Sequence, residues 1–159
     1  MERQDFLDQA KKIAEISDKI RDGWALKNAG EGRWYLEKRQ LLLIEGEPIN
    51  WLYNVLFSPS FSSPVIYFNA NDAQGGYLGY ERILASLEHA ADSLGENPLQ
   101  VVSQKQHPFL STPFYHFHPC RSDRLLGDEP AKNGLLRWLS AVAPLVKLKL
   151  SNEYAFPFL

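Results

Sequence analysis

The chain holds one cysteine in 159 residues, Cys120, and places it two residues after His118 and four after His116. Three chemistries suit a thiol in that setting. As a small buried hydrophobe it would be inert, since free cysteine is among the most buried residue types. Against this, Pro119 precedes it and the polar run Arg121 to Arg124 follows. As a metal ligand it would join His116 and His118, which an extended strand projects to one face, with His107 as a fourth. Tetrahedral zinc accepts both residue types, yet three ligands in a row along one strand fit a tetrahedral shell poorly. As a nucleophile it must become thiolate near neutral pH, and Arg121, Arg124 and a protonated His118 supply the positive charge that lowers a thiol from about 8.5. A hydrolase would also need a histidine base held by a third group, for which His89 and His107 are available. A cysteine that only accepts and passes on an acyl group needs less. Its thioester is already activated, so an attacking lysine requires mainly positioning and a donor for the oxyanion.

The elements that must position this segment follow from periodicity. Phe6, Ala10, Ile13, Ser17, Ile20 and Trp24 line one face of an opening amphipathic helix, with Gly30 and Gly32 marking its end. Strand-like pieces follow at 33–38, 40–46, 51–58 and 64–70, separated by Gly, Pro, Asn and Ser. A second helix is expected from Tyr80 to Leu94, stopped by Gly95 to Pro98, and then a strand at 99–105. Pro108, Pro113 and Pro119 forbid helix around the cysteine. The last helix carries Leu135, Leu136, Leu139, Val142 and Ala143 on one side and is limited by Pro144, with 147–156 a short strand or an extended tail. Strands grouped together, not alternating with helices, predict one α+β domain over residues 1–159 with a largely antiparallel sheet.

Composition narrows the class. Hydrophobic residues at 45% and charged residues at 23% fit a globular domain. A net charge of −2, from 17 basic and 19 acidic residues, gives no broad reason to expect nucleic acid as a partner. A lone cysteine forms no intrachain disulfide, which favours a reducing, cytoplasmic setting. No apolar run is long enough to cross a bilayer.

Four ordered blocks carry a resemblance. Tyr53 stands in the third strand-like piece, and Pro64-Val65-Ile66-Tyr67-Phe68 in the next. Gln106-His107-Pro108-Phe109-Leu110 with Pro113 comes next, then His118-Pro119-Cys120. A late pattern of Trp138, Leu139, Ser140, Val142, Pro144 and Val146 completes the set. Over residues 50 to 155 the chain thereby resembles the autophagy-related protein ten family, ubiquitin-conjugating-enzyme-like transferases of autophagy.

The resemblance implies a ubiquitin-conjugating-enzyme-like core with a sheet extended beyond the usual four strands. It implies that Cys120 accepts a twelve-type ubiquitin-like modifier as a thioester from a seven-type activating enzyme. The modifier then passes to a lysine of a five-type acceptor protein through an isopeptide bond, in the cytoplasm or at the periphery of the forming autophagosome membrane. It implies no metal and no cofactor; ATP is consumed by the activating enzyme. Ordinary conjugating enzymes stabilise the oxyanion with the asparagine of a His-Pro-Asn motif, which this chain lacks. His118 is the first choice for that task and Tyr53 the second, because its strand could present the hydroxyl beside the cysteine loop. An inactive binding module and a cysteine hydrolase are the rival readings.

Overall fold

A computed structural model describes residues 1–92, 102–117 and 132–158, the side chains of 88–92 and 156–158 excepted. Helix α1 spans Arg3–Ile20. The strands are β1 (Ala25–Asn28), β2 (Trp34–Ile44), β3 (Glu47–Ser58) and β4 (Ser63–Asn71), followed by helix α2 (Tyr80–Asp92). Strands β5 (Val102–Gln106) and β6 (Pro113–Phe117) precede helix α3 (Gly134–Val142) and two 3-10 segments, Ala143–Val146 and Asn152–Phe158. The strands form one antiparallel sheet in the order β1-β2-β3-β4-β6-β5. This is the expected α+β class, with the N-terminal helix and the extended sheet.

Helix α1 is capped by a reciprocal pair, Glu2 and Asp5. It buries Phe6, Ala10, Ile13 and Ser17 as the periodicity predicts, but it ends sooner than expected. Arg21 turns left-handed, with φ 57°, and gives its N–H to Ser17 O at 2.7 Å. Gly23 follows at φ 93°. Trp24 therefore reaches the core from outside the helix, its N–H bonded to Ser17 Oγ at 2.8 Å. The residues beyond it form β1, a strand absent from the expected set. Gly30 and Gly32 lie in the β1–β2 turn and have nothing to do with the helix end.

The pieces expected at 33–38 and 40–46 are one strand, β2, because Arg39 continues the pleat. Glu45 and Gly46, with φ of 51° and 77°, make the two-residue turn into β3. The three described α-helices all contribute to one apolar core on one face of the sheet, packed on Trp51, Tyr53, Val55, Ile66 and Phe68. The opposite face carries a smaller cluster of Tyr35, Leu56, Val65, Tyr67 and Phe114. Of the short strand or extended tail expected at 147–156, the strand does not form; irregular chain runs into the second 3-10 segment, which Tyr154 anchors. Its hydroxyl donates to Asp22 at 2.7 Å, and Asp22 also receives Ser17 and the buried ammonium of Lys38. No described helix is long and apolar enough to cross a membrane.

Candidate functional site

Strand β6 is the described element that leads to the cysteine segment. Its register puts Tyr115 and Phe117 on the helix-covered face, and Phe114 and His116 on the open one. Cys120 and His118 lie outside the described residues, as do Arg121 and Arg124 and the expected helix stop at Gly95 to Pro98. The side chain of His89 is likewise not described.

Tyr53 is on the helix-covered face and fully buried. Its ring packs against both Trp51 and Phe68, with centroids 6.1 and 6.2 Å away. Its hydroxyl donates to Val146 O at 2.6 Å and receives Gln40 Nε2 at 3.3 Å. Burial pushes the phenol far above its ordinary value of 10, with the Gln40 bond opposing. In this arrangement Tyr53 fastens the sheet to the turn after α3.

His107 takes a definite part on the open face. It opens the β5–β6 turn, which closes through His107 N–H to Thr112 O at 2.8 Å and Ser111 N–H to His107 O at 3.0 Å. Its Nδ1 accepts the N–H groups of Phe109 and Leu110, each at 3.1 Å. Two donors on Nδ1 require the ring proton on Nε2. Nε2 in turn faces Asn54 Oδ1 at 3.1 Å. Burial lowers the His107 pKa from 6.5 to about 4, so the ring is neutral. Both nitrogens are thus committed, and the ring is available neither as the base of a hydrolase nor as a fourth metal ligand. Among the described residues no three His, Cys, Asp or Glu side chains are grouped to hold a metal ion.

His116 pairs with Tyr67 in the β4–β6 register, the two rings 4.7 Å apart, and is buried. The structure therefore brings His107, Tyr67 and His116 together on the open face, while Tyr53 points away from them. Sequence reasoning missed Asn54. The signal was present: a single amide in the apolar run Trp51 to Phe57 needs a buried partner. Nothing local announces that the partner lies in the turn before β6.

The model of the family described as autophagocytosis associated protein, active-site domain, matches residues 5–153. Ubiquitin-like-conjugating enzyme ATG10 of Homo sapiens is 31% identical over 118 residues, covering 69% of this chain and 54% of the relative. The protein of the same name in Arabidopsis thaliana is 26% identical over 122 residues, with the same shares of 69% and 54%. That of Dictyostelium discoideum is 27% identical over 116 residues, covering 62% and 50%. The chain spans about half the length of the curated relatives it matches.

Proposed function

The chain belongs to the family of autophagocytosis-associated proteins with an active-site domain, and from that premise we propose that it is a ubiquitin-like-conjugating enzyme working through Cys120. The observation that carries the reading is the placement of the lone cysteine. It follows β6 by three residues, inside the matched span of residues 5–153. The relatives, each named a ubiquitin-like-conjugating enzyme, support the same reaction class.

The Cys120 thiolate attacks the thioester carbonyl between the C-terminal glycine of a twelve-type modifier and the cysteine of a seven-type activating enzyme. The activating enzyme's thiolate leaves, and the modifier is held on Cys120. A lysine amine of a five-type acceptor then attacks that carbonyl. Cys120 thiolate departs, the amine proton is lost, and an isopeptide bond remains. No metal or cofactor takes part. His118 is the first donor to the tetrahedral oxyanion. Tyr53 is the second, and its part requires release of the bond to Val146. The enzyme works in the cytoplasm, peripheral to the forming autophagosome membrane.

Incubation with activating enzyme, modifier and ATP tests this on a non-reducing gel. The expected result is a thiol-sensitive adduct with the wild type, a thiol-resistant ester with Cys120→Ser, and none with Cys120→Ala. Unchanged conjugation by Cys120→Ala overturns the reading, and a wild type that never charges makes the chain a binding module.

A further inference from the structure

Among the described residues, β6 is joined to the rest of the sheet by a narrow seam. It pairs with β5 along its whole length, from Val102↔Phe117 to Gln106↔Pro113. It pairs with β4 at Tyr67↔His116 and Phe68↔Tyr115 alone. Past those pairs the ladder is not continued among the described residues, and Asn69 Nδ2 reaches Pro113 O at 3.1 Å as a further tie. The β5–β6 hairpin is thus paired to β4 near the middle of β6 and tied on the helix-covered side by the Tyr80 hydroxyl to Val102 O and the Tyr115 hydroxyl to Leu78 O, each at 2.8 Å, which leaves its turn end to be held from the opposite face.

His107 stands in that turn and bonds to Asn54 of β3 at 3.1 Å, passing over the intervening strand. On the way its ring packs on Tyr67 of β4 and edge-on to Phe114 of β6, with centroids 5.1 and 4.8 Å away. Packing does not explain the polar pair. Leu52 and Leu56 flank Asn54 on the same face, so a leucine would fit the local pattern. The Nδ2 of Asn54 is buried without a hydrogen-bond partner among the described residues, leaving His107 as the one bond for which the amide is kept. A buried amide held at a desolvation cost for a single directional contact is a device for fixing position.

We propose that the His107–Asn54 hydrogen bond pins the β5–β6 hairpin to β3 and thereby sets where Cys120 is presented for acyl transfer. Both are positioning residues, acting through the strand that leads to the cysteine. The transfer half of this inference rests on the functional reading above.

Two variants of the full chain test it. Asn54→Leu removes the acceptor while keeping the branching of the side chain. His107→Asn keeps an oxygen near the place of Nδ1 for the N–H groups of Phe109 and Leu110 but is too short to reach Asn54. Each is charged with the modifier and chased with free lysine in a single turnover, well below its melting temperature. Each single variant is expected to slow discharge by about tenfold, and the double variant by no more than either single one. Hydrogen exchange at the amides of Tyr115, His116 and Phe117 is expected to quicken by about tenfold while Val55 and Ile66 stay protected. Discharge within about twofold of the wild type, multiplicative effects in the double variant, or equal loosening of β3 and β6 overturns the pin. Should the wild type fail to charge, the functional reading falls, and exchange at β6 alone decides whether the pin exists. Should one variant fail to fold, the other is read by the same two measurements.

Discussion

His107 Nε2 and Asn54 Oδ1 meet at 3.1 Å on the sheet face that carries no described helix, and only the imidazole neutral on Nδ1 can also accept the N–H groups of Phe109 and Leu110. The rings of Tyr35, Tyr67, Phe109 and Phe114 surround the histidine and keep it from water. Its folded pKa is about 4, below the ordinary 6.5. The unfolded chain therefore binds a proton here before the folded one does. The neutral ring contributes its full stability above pH 6.5, and the contribution is lost as pH falls from there towards 4. The loss expected across that window is about 3 kcal/mol. Urea unfolding at a series of pH values checks it: the wild type should weaken steadily through the window, and His107→Asn should show a flatter curve.

The group around Asp22 joins three distant parts of the chain. Lys38 Nζ lies 3.4 Å from Asp22 Oδ2 and 3.3 Å from Lys149 O, while Tyr154 donates to the same carboxylate. Both charged side chains are largely shielded, at 8% and 15% exposure. Removing one member leaves the other charge in a poorly solvated place. Asp22→Ala is expected to cost about 3–5 kcal/mol, since it strands the ammonium and two hydroxyls together. Lys38→Met should cost less, about 1–2 kcal/mol, because Ser17 and Tyr154 still satisfy the carboxylate. Denaturant midpoints of the two variants give the order directly.

Leu41 and Leu43 point from the outer half of β2 into solvent, at 61% and 72% exposure. They add nothing to the core, so Leu41→Thr and Leu43→Thr should each change stability by less than about 0.5 kcal/mol. Threonine keeps the strand preference of the position. A thermal melt that moves beyond that range would place these side chains against part of the chain outside the described residues.

Legibility in the sequence followed the range of the interactions. The apolar spacing of α1 and α3 is set within a few residues, and Phe6, Ala10, Ile13, Leu135 and Leu139 are buried as that spacing predicts. The end of α1 was misread because Trp24 continues the helical spacing while Arg21 and Gly23 have already turned the backbone. Burial in the core is blind to which element delivers the ring. Strand β1 is four residues long and gains its order from pairing with β2, not from its own pattern. The same holds at the open face. His107 was legible as chemistry, but its neutral, doubly committed state depends on Asn54, 53 positions away. Tyr53 was legible as a strand aromatic, whereas its hydroxyl's partner Val146 stands 93 positions on.

The two proposed oxyanion donors differ in what their loss should do. Tyr53→Phe removes a bond to a buried carbonyl and one of the contacts of Gln40, which stays bonded to Lys147 O and Lys149 N–H. The carbonyl of Val146 is left without its donor, so stability should fall by about 1–2 kcal/mol. Because that hydroxyl is engaged elsewhere, any effect on transfer comes at the added expense of breaking an existing contact. His118 stands two residues from the nucleophile. Loss of an oxyanion donor is worth about 10²–10³ in rate at other acyl-transfer sites. His118→Ala is therefore expected to slow lysine discharge of the charged enzyme by more than Tyr53→Phe does, with little effect on the denaturant midpoint. Single-turnover discharge measured beside urea unfolding separates the two residues. A Tyr53→Phe protein that unfolds like the wild type yet discharges more slowly than His118→Ala would reverse their order.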